Sequence, residues 1–461
     1  MEITFAGAAR EVTGSCHLVH INGRTIALDM GLFQGKRSDA NEKNRQLPAD
    51  PASIDAIVLS HAHIDHAGRL PFIVAQGYRK NIWCTPATRD LSAYMLTDAA
   101  HIQEKDAAFL ERRGKPHAEP LYTIRDAAKS LEHMIGLPIA TPMEILPGVR
   151  LTFHEAGHIL GSASVVLECE EGGRTTRLVF SGDVGRAGLP IIRDPAPPRG
   201  GADVMILEST YGNRDHPTVE DAKAQLATVV ADTAARGGKV LIPAFAVGRT
   251  QEILYELHEL ARARRIPEVP IFIDSPLAIS ATAVFEQHPD LFDRAEDLVR
   301  HTDSLFRFDL VRYTREASES KALNATRGPM VVIAASGMAE SGRILHHLAH
   351  GADDPRNTIL IVGFQGEHTL GRRIVERQSV LKIFGEEVPL RANVAVVNGY
   401  SAHGDRTELR AWAHAVRGDG PAPRQLFLVH GEREAQDAFA TTLRGDGFPV
   451  TVPSRGDRVA V

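Results

Sequence analysis

Four potential metal ligands lie within one short segment, His61-x-His63-x-Asp65-His66. They directly follow Asp55–Ser60, an apolar run that predicts a buried strand. His61 and His63 are two residues apart, so their side chains lie on one face of an extended segment. Imidazole nitrogens and carboxylate oxygens are the ligands that Zn²⁺ takes in proteins. The segment therefore predicts a metal centre at a strand end, and the rest of the chain must supply the remaining ligands.

The composition is that of an ordinary globular protein. Of its 461 residues, 43% are hydrophobic and 24% are charged, which excludes disorder and fibrous repeats and predicts about two to four domains. The net charge of −6 argues against a surface coated with positive charge for nonspecific DNA binding. The three cysteines form no CxxC pair, and neither a signal peptide nor a membrane-length apolar run is visible. We therefore expect a cytoplasmic protein with no membrane partner.

Three later residues, His158, Asp183 and His430, each stand just past a predicted strand and beside a glycine. Loops at strand ends are common places for binding sites. One catalytic zinc needs about three protein ligands, whereas a pair of metals needs a bridging carboxylate and roughly seven ligands. The later three residues bring the candidates to that number. The His-rich set favours zinc and leaves manganese as the alternative.

The pattern of secondary structure changes twice along the chain. Short strands give way after about residue 210 to strands that alternate with helices, as in Lys239–Phe245 and Thr250–Arg265. Short strands return from Asn393 onward. Alternating strands and helices predict a parallel sheet. The residues alone leave two organisations open, namely three sequential domains or a β-rich domain that an α/β domain interrupts.

The motifs resemble those of two related groups of metallohydrolases. Features similar to the metallo-β-lactamase superfamily are the first cluster, Gly-His158, Ser-Gly-Asp183 and Asp29 in Leu-Asp-Met-Gly. Features similar to its β-CASP branch, whose members process nucleic acids, are Glu208-Ser-Thr-Tyr-Gly212, Ser401-Ala-His403 and Leu-Val-His430. The resemblance implies an α/β fold, an αββα metallo-β-lactamase sandwich interrupted by a parallel-sheet β-CASP domain. It implies a first domain in two parts, 1–208 and 395–461, with the insertion at 209–394.

The last β-CASP motif carries His430, as in the RNA-processing members, where DNA-repair members typically have valine. The chain is thereby similar to the endonuclease of pre-mRNA 3′-end formation, its bacterial and archaeal relatives, and ribonuclease J. It lacks the long extension that follows the last motif in ribonuclease J, and the KH-type segment that precedes many archaeal relatives. These differences argue against identity with ribonuclease J and against RNA binding that a KH domain assists.

The resemblance also implies how the metals are bound. The expected ligands are three histidines for the first metal, one aspartate and two histidines for the second, and one aspartate that bridges them. The first metal is expected to be held by His61, His63 and His158, the second by Asp65, His66 and His430, and both by Asp183. Asp29 is expected to hold a ligand histidine rather than a metal. The implied cofactors are two Zn²⁺ ions, with Mn²⁺ as the alternative.

The implied reaction is endonucleolytic hydrolysis of phosphodiester bonds in single-stranded RNA by a hydroxide that both metals share. Asp65 is also expected to orient or deprotonate this nucleophile. His403 is the candidate general acid for the leaving 3′-oxygen, since imidazole titrates near neutral pH, and Glu208 is expected to orient it and raise its pKa. The alternatives are a 5′–3′ exoribonuclease, a DNA-processing enzyme, a small-ester hydrolase and a binding subunit without activity.

Weaker signals in the middle of the chain point to RNA phosphates. Ser336 and Gly337 precede a helical run and are candidates to donate backbone N–H groups to a phosphate, with a helix N-cap as the alternative. Arg249 is expected at a phosphate or in a surface ion pair, and Ser401 joins the same weak set. Three histidines at helical spacing predict a solvated helix face: His346, His347 and His350. Single-stranded RNA is the expected partner; a homodimer stays open, and no protein partner is identifiable.

Overall fold

The computed structural model describes residues 1–112, 119–293, 305–363, 365–366 and 368–461. The chain forms two compact units. The first comprises Met1–Ala187, Asp194–Asp215 and His403–Val461, and the second comprises Gly188–Arg193 and His216–Ala402. The first unit is thus built from both ends of the chain, and the second from its middle.

The first unit contains two seven-stranded sheets. In spatial order, the first sheet consists of β22 (Arg458–Ala460), β1 (Glu2–Gly7), β2 (Cys16–Ile21), β3 (Arg24–Leu28), β4 (Ala56–Val58), β5 (Ile82–Cys84) and β6 (Met134–Gly136). The second consists of β21 (Val450–Thr451), β20 (Gln425–Val429), β11 (Val204–Glu208), β10 (Arg174–Phe180), β9 (Ala163–Glu171), β8 (Val149–Glu155) and β7 (Met143–Leu146). Strands β3 to β6 run parallel, as do β10, β11, β20 and β21.

Apolar side chains fill the space between these sheets, among them Phe5 and Leu28 from the first and Phe153 and Ile206 from the second. Helices cover the outer faces of both sheets. On the first sheet they are α2 (Ile64–Ala67), α3 (Leu70–Ala75), α4 (Pro86–Arg112) and α5 (Ile124–Leu131), and on the second α12 (Arg406–Arg417) and α13 (Arg433–Gly445). A further helix, α1 (Arg37–Arg45), follows β3. These layers confirm the predicted αββα sandwich.

The second unit contains a parallel six-stranded sheet. Its spatial order is β14 (Val311–Tyr313), β13 (Ile271–Ile273), β15 (Met330–Ala334), β12 (Lys239–Pro243), β16 (Thr358–Ile361) and β19 (Asn393–Val396). Its described helices are α6 (Val219–Ala235), α7 (Arg249–Arg262), α8 (Pro276–Gln287), α9 (Ala317–Ala325), α10 (Ile344–Gly351) and α11 (Leu370–Val375). A hairpin of β17 (Val380–Ile383) and β18 (Glu386–Pro389) precedes β19. The predicted parallel sheet is confirmed.

The edges of the second unit differ from the expected 209–394. Strand β19 hydrogen-bonds to β16, so the residues from 395 to Ala402 belong with the parallel sheet. At the other edge the chain stays with the first unit until Asp215. Backbone pairing, which a single sequence does not display, sets both limits. Among the described helices, none is both long and apolar enough to cross a bilayer.

Candidate metal centre and active site

Three neighbouring parallel strands of the second sheet end at the site. Glu208 is the last residue of β11, and His430 directly follows β20, which pairs with β11. Asp183 follows β10, which pairs with β11 on its other side. Because the carboxyl ends of parallel strands share one edge of a sheet, these three side chains meet although up to 247 residues separate them in sequence (430 − 183).

The cluster predicted from His61 to His66 spans the turn after β4 and the short helix α2. His63 is the residue that precedes the first turn of α2, and Asp65 and His66 lie within that helix. The Asp65 backbone carbonyl accepts a hydrogen bond from Ser15 N at 2.8 Å. A Cβ atom at Gly31 would lie 1.6 Å from the same oxygen, so only glycine lets the chain pass there.

Ring nitrogens of three histidines converge on one point. His63 Nδ1 lies 3.2 Å from His61 Nε2 and 3.1 Å from His158 Nε2. Zn–N bonds of about 2.0–2.1 Å in a tetrahedral site place the nitrogens about 3.3 Å apart. The Asp183 Oδ2 atom lies 3.4 Å from His61 Nε2 and 3.5 Å from His158 Nε2. These four residues therefore fit a zinc ion, and they are the ones expected for the first metal and the bridge.

A second group lies beside the first. His66 Nε2 is 3.1 Å from His430 Nε2, and His430 Nε2 is 3.5 Å from Asp65 Oδ2. Asp183 belongs to both groups, since its Oδ2 is also 3.3 Å from His66 Nε2. In the described part of the chain, the buried Asp183 Oδ1 has no hydrogen-bond partner. A buried, unsatisfied carboxylate oxygen between two groups of nitrogen donors fits a bridging metal ligand.

The electrostatics of the site favour bound cations. Burial lowers the pKa of His61 well below its usual value and that of His63 to about 4, so both rings are neutral, as ligands must be. Burial opposes ionisation of Asp183, but His430 and His66 outweigh it and hold its pKa well below the usual range. Burial would also lower the pKa of His66, yet the charges of Asp183 and Asp29 raise it well above its usual value. The carboxylates thus draw positive charge into the site, which a metal ion supplies when bound.

Asp29 lies behind His66, one of the candidate ligands. Its Oδ2 accepts His66 Nδ1–H at 2.7 Å, which directs His66 Nε2 toward the site. The Asp29 side chain is fully buried, and the Asp29 backbone adopts the left-handed conformation with φ of 61°. The Asp29 carboxylate also accepts the Ser60 N–H at 2.8 Å, the Ser60 hydroxyl at 3.1 Å and the Ser15 hydroxyl at 2.9 Å.

Sequence reasoning missed Ser15, Ser60 and Thr210. The Thr210 hydroxyl donates to the His430 backbone carbonyl at 3.1 Å, which leaves its oxygen to accept His430 Nδ1–H at 3.0 Å. His430 Nε2 is then the nitrogen left for a metal. Thr210 lies in the motif that begins at Glu208, which is the one signal that could have found it. Ser15 and Ser60 lie in no motif, so no sequence signal distinguishes them from other serines.

His403 and Glu208 form a pair at the edge of the centre. His403 Nδ1 is 3.0 Å from Glu208 Oε1, which also accepts the backbone N–H of Val184 at 2.8 Å. Burial would lower the pKa of His403, but the charges of Glu208 and Asp183 outweigh it and raise the pKa to about 9. His403 Nδ1 lies 3.9 Å from Asp183 Oδ2, and the side chain keeps 19% of its surface exposed. A protonated, partly exposed imidazole therefore stands next to the candidate ligands.

Three family models match the chain. A Beta-lactamase superfamily domain matches residues 29–243, a Beta-Casp domain matches 250–374, and a Zn-dependent metallo-hydrolase RNA specificity domain matches 387–453. The chain is also 40% identical over 416 residues to Ribonuclease TTHA0252 of Thermus thermophilus, covering 89% of this chain and 90% of the relative. The chain belongs to the β-CASP branch of the metallo-β-lactamase superfamily. The resemblance noted in the motifs is confirmed, and the chain is a metal-dependent hydrolase.

More distant similarities agree with this β-CASP membership. The chain is 33% identical over 440 residues to Transcription termination factor FttA of Methanosarcina mazei, and spans 66% of that protein's length and 93% of its own. The factor of the same name from Methanocaldococcus jannaschii is 31% identical over 441 residues, with the same shares covered. A crystal structure of a protein of unknown function from Enterococcus faecalis has a TM-score of 0.54 at 11% identity, covering 100% of this chain and 99% of that one. That structure shows the fold alone.

The weaker β-CASP candidates lie in the second unit. Arg249 forms an ion pair with Glu252, as one alternative expected, but both side chains are buried, so its expected place on the surface is wrong. The Ser336 hydroxyl oxygen accepts the N–H groups of Glu340 and Ser341 at 3.1 and 3.2 Å. Ser336 is not an N-cap, since α10 begins only at Ile344. Gly337 and Ser401 are buried.

The solvated histidine face expected on α10 is only partly correct. His346 and His350 are exposed, but His347 is buried. His347 Nε2 lies 2.6 Å from Asp274 Oδ2, and Nδ1 lies 2.8 Å from Asn324 Oδ1. Helical spacing showed that the three lie near one face, but packing decided which of them is covered.

Proposed function

We propose that this β-CASP protein is a zinc-dependent ribonuclease that cuts phosphodiester bonds within single-stranded RNA. The observation that carries the proposal is the His403–Glu208 pair beside seven converging candidate ligands. A phosphodiester hydrolase needs an activated water and a proton for the leaving oxygen. The ligand set suits the first need and the pair suits the second. The family and the RNA specificity domain favour RNA as the substrate.

The proposed zinc ligands are those named above: His61, His63 and His158 for one ion, Asp65, His66 and His430 for the other, and Asp183 for both. Groups of these donor atoms lie within 4.8 Å of one another. Two bound ions would supply an acidified water nucleophile and positive charge opposite the phosphate oxygens. Histidine-rich sets of this kind suit zinc better than magnesium or calcium.

The side chains of the pair act on the leaving group. Glu208 Oε1 accepts His403 Nδ1–H, so His403 Nε2 carries the proton that moves to the leaving 3′-oxygen. The negative charge of Glu208 stabilises the imidazolium before that transfer. Asp65, beside His430, orients the nucleophilic water toward the phosphorus. General acid catalysis by a positioned histidine contributes about 10²–10⁴-fold to the rate.

The test uses purified protein, internally labelled and 5′-labelled single-stranded RNA, and metal analysis of every sample. Wild type is expected to make internal cuts with two zinc ions bound. His403→Ala should lose cleavage and keep both ions, whereas Asp65→Ala should lose cleavage together with metal. Wild type that holds two ions but turns over no RNA would overturn the proposal. Parallel DNA and small-ester substrates would then identify the true substrate class.

The same gel separates the two modes of RNA cleavage. Internal cutting produces fragments of intermediate length at the earliest times. Stepwise degradation from the 5′ end releases labelled mononucleotides first and would assign the chain to the exonucleases. A circular RNA without ends serves as the matched control, since only an endonuclease opens it.

A further inference from the structure

The Phe245 side chain is exposed in a segment of the second unit that is otherwise largely buried. Of residues 240–254, all of which the structure describes, Phe245 alone is exposed. Its neighbours Ala244, Ala246 and Val247 are buried, while Phe245 keeps 39% of its surface exposed. An exposed phenyl ring forgoes the free energy that its burial would yield. The exposed part of the ring is therefore accessible to a ligand.

The backbone that carries Phe245 is firmly anchored. The first turn of α7 holds it, because Thr250 donates its N–H at 3.2 Å and its hydroxyl at 2.8 Å to the Phe245 carbonyl. Gln251 Nε2 donates to the carbonyl of the next residue, Ala246, at 3.1 Å. The ring is thus presented from a fixed backbone, which reduces the entropy lost on binding.

Three loops follow neighbouring strands at one edge of the parallel sheet. Phe245 follows β12, and Gly337 and Gln365 follow its neighbours β15 and β16. A Cβ atom at Gly337 would lie 2.7 Å from the Phe245 ring, so the ring lies directly against this glycine. Gln365 Nε2 donates to the Gly337 carbonyl at 3.0 Å and ties the two loops together. The carboxyl edge of an open parallel sheet is where such folds bind ligands.

We propose that Phe245 stacks on a nucleobase of the bound RNA, with Gly337 supporting the opposite side of the ring. The inference rests on the proposed ribonuclease function for its choice of ligand. Single-stranded nucleic acid binds by stacking its bases on exposed aromatic side chains, without preference for sequence. A protein interface needs about 1,600 Å² of buried surface, whereas segment 240–254 offers one ring. One base is the ligand of matching size.

The first test measures RNA binding by fluorescence anisotropy with a labelled single-stranded oligonucleotide and zinc-loaded protein. His403→Ala is the background, so that turnover does not interfere. Phe245→Leu, which stays apolar but cannot stack, is expected to weaken binding about 5- to 150-fold. Phe245→Trp should restore wild-type affinity. Phe384→Leu is the matched control, since Phe384 is a 59% exposed phenylalanine in the same unit, on the β17–β18 hairpin.

The second test locates the base. A series of oligonucleotides with one abasic site each is bound to the protein with and without Phe245→Leu. One abasic position should weaken binding to the phenylalanine form by the same factor as the substitution, and should have no effect on the leucine form. Gly337→Ala, which displaces the ring, should give the same loss in the phenylalanine form. Thermal unfolding of each variant checks that the fold is intact.

Equal affinity of the Phe245→Leu and phenylalanine forms, or an identical abasic profile for both, would overturn the stacking proposal. Binding is measured without cleavage, so the outcome is separate from that of the ribonuclease proposal. If wild type binds RNA but never cuts it, the function fails and the stacking result still stands. If wild type binds no RNA, both proposals fall.

Discussion

At the scale of single residues, one carboxylate decides which tautomer the candidate acid adopts. Glu208 Oε1 accepts His403 Nδ1–H at 3.0 Å, which keeps the mobile proton on Nε2. Glu208→Gln can instead donate its amide N–H to Nδ1 and hold the wrong tautomer. We expect kcat on RNA to fall by about 10²–10⁴-fold with KM and bound zinc unchanged. Steady-state kinetics with metal analysis checks this, and loss of zinc would contradict the role given to Glu208.

A second prediction concerns a residue that binds neither metal nor substrate. Thr210→Val removes the hydroxyl that orients His430 but keeps the side-chain shape. We expect zinc affinity to fall by about 10–100-fold, as for other groups that hold metal ligands. Competition with a zinc-binding dye measures the affinity. Thr441→Val, at an exposed position of α13, is the matched control and should bind zinc as wild type does.

At the scale of elements, a buried carboxylate joins one strand and two helices of the second unit. Asp274, which follows β13, accepts hydrogen bonds at 2.6 Å from Ser320 of α9, from Arg343 at the start of α10 and from His347. Burial opposes its ionisation, but the hydrogen bonds from His347, Ser320 and Arg343 outweigh it and lower the pKa of Asp274. A group of this kind stabilises the fold above its unfolded pKa and ceases to do so as pH falls.

The lowered pKa of Asp274 determines how the stability of the fold changes with pH. Asp274→Asn should lower the free energy of unfolding at pH 7 by about 3–5 kcal/mol, because it takes the carboxylate away from the half-buried Arg343 guanidinium and from the buried His347 ring. The difference from wild type should narrow as pH falls below about 4, the usual pKa of an unfolded aspartate. Urea unfolding at several pH values measures both quantities. Asp354→Asn, which breaks an exposed pair with Arg356, should cost less than about 1 kcal/mol.

At the scale of the whole molecule, the metal centre joins segments from both ends of the chain. Its candidate ligands come from the turn before α2 and from α2 itself, from loops after β8 and β10, and from the end of β20. Metal binding adds stability to the folded state alone, by about 2.7 kcal/mol at a hundred times the dissociation constant. Chelation should therefore lower the Tm in scanning calorimetry, and added zinc should restore it. A Tm that changes with neither chelator nor added zinc would contradict the presence of a metal centre.

Short sequence patterns were enough to predict many residues of the candidate site. The His61–His66 cluster stands within one turn, so its chemistry is visible without a fold. His158, Asp183 and His430 each show a short signal at a strand end, but their convergence follows only from the order of parallel strands in the sheet. His403 and Glu208 were recognisable through the family motifs rather than through spacing.

Burial was the main source of differences between expectation and structure. Arg249 was expected at an RNA phosphate or in a surface ion pair, and His347 on a solvated helix face, yet both side chains are buried. Phe245 was expected inside a strand, but β12 ends at Pro243 and the ring is exposed from the following loop. Whether a side chain is covered depends on neighbours that are distant in sequence.

The amino-acid sequence by itself determined the candidate His-rich metal cluster and the α/β region within a β-rich fold, while the resemblance of its motifs to a family supplied His403 as the candidate acid. The cluster and the α/β region depend on residue type and on short-range periodicity, which a single chain displays directly. The tertiary structure alone decided which strands are neighbours, which hydroxyl groups hold the candidate ligand histidines, where the second unit ends and which aromatic ring is exposed. Those properties arise from pairing and packing between distant segments, where contacts form only once the chain has folded.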